Sequence, residues 1–94
     1  SMEKAMELGI VNMVLDGDDF MGQVMTYARQ FLPPNKAALA VGRIKRSVQS
    51  GLEMSFQESL SLERELQQQL FQSSDAKEGL DAYVNKRSAQ FQGK

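Results

Sequence analysis

The sequence predicts a mostly α-helical chain, with three or four helices after a short extended segment at the N-terminus. Three observations support this fold class. Apolar residues recur at helical spacing in several stretches of the chain. Residues that favour helix caps precede most of these stretches, and proline or glycine follows the first two stretches. The 94 residues fit one small domain. We place it at 3–94, because Ser1-Met2 looks like a cloning scar.

The extended segment is "MELGIVNMVL" at 6–15, which we predict to be a strand. Its β-branched and large apolar residues are Ile10, Val11, Val14 and Leu15. "DGDD" at 16–19 follows as a turn, in which Asp18 or Asp19 can cap the next helix. A lone strand cannot satisfy its own backbone groups. We therefore expect the strands that pair with it to lie in protein outside residues 1–94.

The first two predicted helices cover residues 19–32 and 36–50. Pro33-Pro34 ends the first, because a residue before proline avoids the α region. Asn35 can cap the second, and Gly51 marks its end. The apolar stripes of the two helices comprise Phe20, Val24, Tyr27, Ala28 and Phe31, then Ala37, Val41, Ile44 and Val48.

Two further helices are predicted over 56–72 and 76–87. "SFQE" at 55–58 is a capping box, in which a serine and a glutamate satisfy each other's backbone amides. Asp75 with Glu78 is a second, similar box. The stripes of these helices comprise Phe56, Leu60, Leu62, Leu66 and Leu70, then Leu80, Tyr83 and Val84. The remaining residues form a tail with Phe91 as its apolar anchor.

Composition excludes several classes of function. The 11 basic and 12 acidic residues give a net charge of −1, which argues against a nucleic-acid partner. The absence of cysteine and histidine removes disulfides, thiolate nucleophiles, the commonest general base and the commonest metal ligands. No apolar run is long enough for a membrane helix, so we expect a soluble chain without a membrane partner. Cytoplasm and organelles such as the mitochondrion or peroxisome stay open.

No metal site is expected. Asp16, Asp18 and Asp19 lack the distal bidentate glutamate of a calcium loop, and capping accounts for them better.

Three motifs resemble landmarks of one family. "AMELGIVNMVL" at 5–15, "ALAVGRIKRSVQSGLEMSFQESLSLE" at 38–63 and "SSDAKEGLDAYVNKRSAQFQGK" at 73–94 are similar, in order and spacing, to the C-terminal part of the enoyl-CoA hydratase/isomerase (crotonase) family. The run of Glu78-Gly79, an aromatic residue and Lys86-Arg87 is the most specific element.

The resemblance implies the helical, trimerisation part of an enzyme acting on coenzyme A thioesters. The parent reaction would be hydration or isomerisation of an enoyl-CoA, although the family also includes hydrolases, decarboxylases and dehalogenases. The family's acid/base carboxylates and oxyanion amides belong to its spiral core, upstream of this part. We therefore expect no catalytic residue and no cofactor of its own in this chain, and whether the chain itself is an enzyme stays open.

The same resemblance implies a coenzyme A contact at Tyr83 and Lys86, with the aromatic ring beside the adenine and the ammonium at a phosphate of a neighbouring subunit's ligand. The other interpretation is that Tyr83 is a core residue and Lys86 a solvated cation at a helix end. Lys45, within the basic run "GRIKR", is a further candidate, for which a solvated helix face is the alternative.

The expected partner is another copy of the chain. The parent family forms trimers, and these residues alone could form a dimer or another oligomer. The alternative function is a stand-alone, non-catalytic helical interaction module.

Overall fold

The structure, a computed structural model, describes residues 1–94 and contains five α-helices and no β-strand. In chain order α1 to α5 span Met2–Glu7, Phe20–Arg29, Ala38–Gly51, Phe56–Phe71 and Ser74–Val84. α3 packs against α4, and α4 meets α5, whereas α1 and α2 pack against no other helix. The mostly helical fold class is confirmed, with four helices after the N-terminal segment.

The predicted strand at 6–15 is wrong. Residues 2–7 read "MEKAME" and consist of strong helix formers, so this stretch is helical. Ser1, interpreted above as a cloning scar, accepts a hydrogen bond from the Lys4 amide and caps α1. Gly9, with φ +71°, ends the helix, and the chain then runs to the turn at 16–19 without a backbone ladder. The β-branched residues of the segment all follow Gly9, in a stretch that is neither helix nor strand.

The predicted N-cap of α2 is present, whereas the predicted N-cap of α3 is not. The Asp19 carboxylate accepts a hydrogen bond from the Gly22 amide at 3.1 Å, as predicted. Asn35 does not cap α3, because its amide donates to the Leu32 carbonyl in a turn and the N-cap position falls on Ala37. α2 ends at Arg29, three residues before the predicted end, in tight turns that precede the prolines.

The predicted capping box of α4 is present. The Glu58 amide donates to Ser55 Oγ at 3.3 Å, and the Ser55 amide donates to Glu58 Oε2 at 2.9 Å. The second predicted box, at Asp75 and Glu78, is wrong, since Ser73 caps α5 and accepts from the Ala76 amide at 3.0 Å. Both acids are therefore available for other contacts.

The C-terminal tail folds back across α5 and reaches the turn before α3. The Phe91 amide donates to the Pro34 carbonyl at 3.3 Å, and the Phe91 ring lies against Gly79 of α5. Little of the chain is enclosed by these contacts. Three residues are buried, which are Leu66, Ala82 and Asp75. Most apolar side chains of α3, α4 and α5 therefore remain at least partly exposed.

Candidate functional site

Tyr83 lies in the last turn of α5, where its neighbour Ala82 points inward and is buried. Tyr83 itself is 85% exposed, so it is not a core residue of this chain. The ring therefore offers an open face to another molecule.

Lys86 lies just beyond the helix and not on it. α5 ends at Val84 with Asn85 as its C-cap, three residues earlier than the predicted end at 87. The Lys86 amide donates to the Tyr83 carbonyl at 3.3 Å, and the Arg87 amide donates to the Ala82 carbonyl at 3.0 Å. These two bonds form a Schellman motif, in which Lys86 occupies the left-handed position with φ +51°. The turn keeps Lys86 close in sequence and space to Tyr83, although the two do not share a helix face.

The Lys86 side chain is exposed and makes no ion pair within the chain. Its two neighbours are both fixed to α5. Asn85 Nδ2 donates to Asp81 Oδ1 at 2.9 Å and to the Asp81 carbonyl at 3.0 Å. Arg87 is held by two carboxylates. In the 85–87 turn, Lys86 is thus the residue whose side chain is left for an outside partner.

Arg87 is the centre of an ionic cluster that the sequence did not predict. Its guanidinium forms a two-pronged pair with Glu78, at 2.6 and 2.8 Å, and contacts Asp81 Oδ2 at 2.5 Å. The Arg87 side chain lowers the pKa of Glu78 to about 2, with a further contribution from the Gln90 amide, which donates to the same carboxylate. Glu78 and Asp81 raise the pKa of Arg87 in turn. Glu78 and Arg87 are therefore both charged near neutral pH.

A second unpredicted contact holds the tail. Asp75 is 3% exposed, and its two carboxylate oxygens accept hydrogen bonds from the Gln92 and Gly93 amides at 2.7 and 2.8 Å. The Asp75 amide and Ser74 Oγ each donate to the Lys94 carbonyl at 2.9 Å. The Asp75 carboxylate thus joins the first turn of α5 to Gln92 and Gly93 in the C-terminal tail.

The basic run at 43–46 does not form one surface. Lys45 and Arg46 are exposed on α3, whereas Arg43 is half-buried in a groove of about 380 Å³ between α3 and α4. The Arg43 Nε atom is buried there without a hydrogen-bond partner. Because α3 packs on α4 and not on α5, the structure does not bring Lys45 together with Tyr83 and Lys86.

The arrangement at the end of α5 is suited to binding and not to proton transfer. An exposed aromatic ring offers a stacking face, and an unpaired ammonium is a point charge that attracts a phosphate. No group of acidic side chains converges in the way that a metal ion requires. None of the five helices is both long enough and apolar enough to cross a bilayer.

Comparisons with known proteins agree on one family. The sequence model of "Enoyl-CoA hydratase/isomerase" matches residues 1–94. The 1,2-epoxyphenylacetyl-CoA isomerase of Escherichia coli K12 is 32% identical over the whole chain, and the crotonyl-CoA hydratase of Syntrophomonas wolfei is 29% identical over 89 residues. The chain spans about a third of the length of these relatives, 35% and 34% respectively.

Solved structures give the same result. An enoyl-CoA hydratase from Geobacillus kaustophilus HTA426 superposes on 98% of the chain with a TM-score of 0.84 and 38% identity, and the chain covers 34% of it. An enoyl-CoA hydratase/isomerase from Mycobacterium paratuberculosis superposes on the entire chain with a TM-score of 0.84 and 26% identity, and the chain covers 36% of it. The all-helical architecture described above is therefore found within both enzymes. In sequence and in fold, the chain belongs to the enoyl-CoA hydratase/isomerase family.

Proposed function

We propose that residues 3–94 are the helical part of an enzyme that hydrates or isomerises the double bond of an acyl-CoA thioester. In this proposal the helices join subunits, and the end of α5 covers the coenzyme A bound by a neighbouring subunit. The carboxylates and oxyanion amides that carry the reaction lie in protein beyond this chain. The names of the relatives, all of which act on CoA thioesters, support the substrate class.

One observation carries the coenzyme A contact. Tyr83 is 85% exposed, and three residues later the Lys86 ammonium is exposed and unpaired, on a turn whose other side chains are fixed. The ring would lie beside the adenine and the ammonium would meet a phosphate. The interpretation of Tyr83 as a core residue finds no support in its surroundings.

The oligomeric role has separate support. Large apolar side chains are exposed on all five helices, and on α3 to α5 and the turn between α3 and α4 several are at least 60% exposed. Apart from Tyr83, the most exposed of them on α3 to α5 and that turn are Ile44, Val48, Leu52, Phe56, Phe71, Leu80 and Val84. Large apolar patches rarely stay exposed on a soluble monomer, so these side chains favour contacts between subunits.

The test uses a hybrid enzyme in which residues 1–94 replace the matching third of the Geobacillus kaustophilus hydratase. Lys86→Ala should weaken binding of CoA more than binding of 3′-dephospho-CoA, by roughly 0.5–2 kcal/mol, because one charge-assisted hydrogen bond at a wet site is lost. Tyr83→Ala should cost about a further 1 kcal/mol through lost stacking. KM for the acyl-CoA should rise while kcat stays near its starting value, since neither residue touches the reacting carbons.

Lys77→Ala is the matched control. Lys77 is an exposed, unpaired lysine on α5, so the variant changes the net charge equally without touching the site. The Lys86 effect should also shrink as salt is added, because ions screen an exposed contact. A collapse of kcat at unchanged KM, with the oligomer intact, would contradict the coenzyme A contact. If both variants dissociate into monomers, the two residues belong to the subunit interface instead.

A further inference from the structure

The left-handed turn at Lys86 is unusual for the residue that occupies it. With φ +51° the backbone is in a region that residues with a Cβ populate at a cost, and the C′ position of a Schellman motif is usually glycine. The Lys86 side chain also makes no hydrogen bond or ion pair that would offset this cost. Contacts of the residues that flank Lys86 in the chain must therefore stabilise the turn.

The contacts of Arg87 supply that restraint. Its backbone amide closes the outer bond of the Schellman motif on Ala82 at 3.0 Å, and its guanidinium bonds Glu78 and Asp81, one turn apart on α5. Arg87 Nη1 also donates to the Ser88 carbonyl at 3.2 Å. The residue is thus attached to the helix through both its backbone and its side chain.

Glu78 extends the same restraint to the following residues. Its Oε1 atom accepts from Arg87 Nη1 at 2.6 Å and from the Gln90 amide at 2.7 Å. The carboxylate therefore fixes the chain on the far side of the turn as well. Its lowered pKa means that the pair stays ionised over the range in which such an enzyme is assayed.

We infer that Arg87, held by Glu78 and Asp81, is a positioning residue that keeps Lys86 in its left-handed turn and so aims the ammonium at the ligand phosphate. This inference rests on the proposed function of Lys86. It assigns to Arg87 no contact with the ligand, because both terminal nitrogens of its guanidinium already donate to carboxylates of α5. The planar fork of arginine is what allows it to engage two acids at once.

The first measurement concerns the turn alone and uses the 94-residue chain. In Arg87→Ala, amide hydrogen exchange at residues 86 and 87 should become roughly threefold to tenfold faster, because the turn opens more often. Arg87→Lys keeps the charge but not the fork and should restore only part of the protection. Arg46→Ala removes an exposed arginine elsewhere and should leave these two amides unchanged. Unchanged exchange in Arg87→Ala would overturn the inference.

The second measurement is a double-mutant cycle in the hybrid enzyme. Its readout is the ratio of affinities for CoA and 3′-dephospho-CoA, which a general loss of stability does not change. Arg87→Ala should lower this ratio by about two- to fivefold, less than Lys86→Ala, and should have no further effect in a Lys86→Ala background.

The outcomes separate the two proposals. If Lys86→Ala lowers the ratio and Arg87→Ala does not, the phosphate contact stands and the positioning role is wrong. If Arg87→Ala lowers the ratio equally with and without Lys86, it acts independently of Lys86 and the inference is also wrong. If Lys86→Ala leaves the ratio unchanged, the contact with the 3′-phosphate is wrong, and amide exchange alone decides whether Arg87 holds the turn.

Discussion

Two helices of this chain end in the same backbone motif with different residues at its left-handed position. α1 ends with Gly9 at φ +71°, where the Ile10 amide donates to the Ala5 carbonyl at 2.9 Å. α5 ends with Lys86 at φ +51°, where the Arg87 amide makes the corresponding bond to Ala82. The glycine fits its position at no steric cost, and the lysine does not. The comparison indicates that the lysine side chain serves a purpose other than stability.

Lys86→Gly should therefore stabilise the chain. The gain should be about 0.5–1 kcal/mol, because relief of the left-handed strain exceeds the extra freedom that glycine gives the unfolded chain. Urea unfolding followed by circular dichroism measures it. Lys86→Ala is the matched control, since it removes the ammonium but keeps the Cβ, and it should not be stabilised. Equal midpoints for the two variants would show that the turn is unstrained.

At this scale the sequence predicts Tyr83 and Lys86 as candidates but not the side chains that surround them. Their aromatic and cationic character and their spacing are visible in the sequence. The roles of Arg87 and Asp75 cannot be seen in the sequence. Both depend on the position that residues 88–94 take against α5 in the folded chain. Ser73 and Asp75 are equally good caps by residue type, and only the fold-back of the tail decides between them.

The helices themselves are more predictable, since their causes are local. The capping box at Ser55 and Glu58 fixes the start of α4, and apolar periodicity gives α2 to α5 within a few residues of their observed ends. The N-terminal segment is the exception. Val11, Val14 and Leu15 favour a strand by type, but the residues before Gly9 favour a helix, and no second strand is present to pair with.

The tail is held to α5 chiefly by Asp75, and Asp75→Asn should release it. The amide side chain can accept only one of the two backbone hydrogen bonds and points a donor at the other, which should cost about 1–3 kcal/mol. Amide exchange at Gln92 and Gly93 should then accelerate strongly. Asp18→Asn, at an exposed acid without a hydrogen bond, should leave the tail protected. Protection that persists in Asp75→Asn would mean that the other contacts of the tail, at Phe91, Gln90 and Lys94, hold it without the carboxylate.

The chain on its own is more open than a compact domain of its length. Its radius of gyration is 16.8 Å, whereas a compact chain of this length has about 12–13 Å. Its accessible surface is 7589 Å², against about 5,400 Å² expected for a monomer of 10.5 kDa. The difference of roughly 2,000 Å² exceeds the ~800 Å² that one partner contributes to a standard interface. Sequence alone does not reveal this, because the apolar stripes look the same whether they meet one another or another chain.

The packing of α3 on α4 decides which apolar residues are left for that surface. Leu66 is 2% exposed and lines the groove between the two helices, so it contributes to the core of the chain and not to a contact between copies. Ile44 and Val48 line the same groove but are 61% and 60% exposed. On α5, Leu80 and Val84 lie four residues apart on one face and are 62% and 75% exposed.

The chain on its own should therefore self-associate, and sedimentation velocity over a range of concentrations measures this. Leu80→Ser combined with Val84→Ser should shift the distribution towards monomer, because the pair removes an apolar face of α5 without altering the buried Ala82 beside it. Lys77→Ser, an exposed polar position of the same helix, should sediment as the unaltered chain does. A chain that remains a compact monomer at high concentration would contradict the prediction. Association that persists unchanged in the double variant would place the contact elsewhere, with the faces at Ile44 and Val48 or at Leu52 and Phe56 as the next candidates.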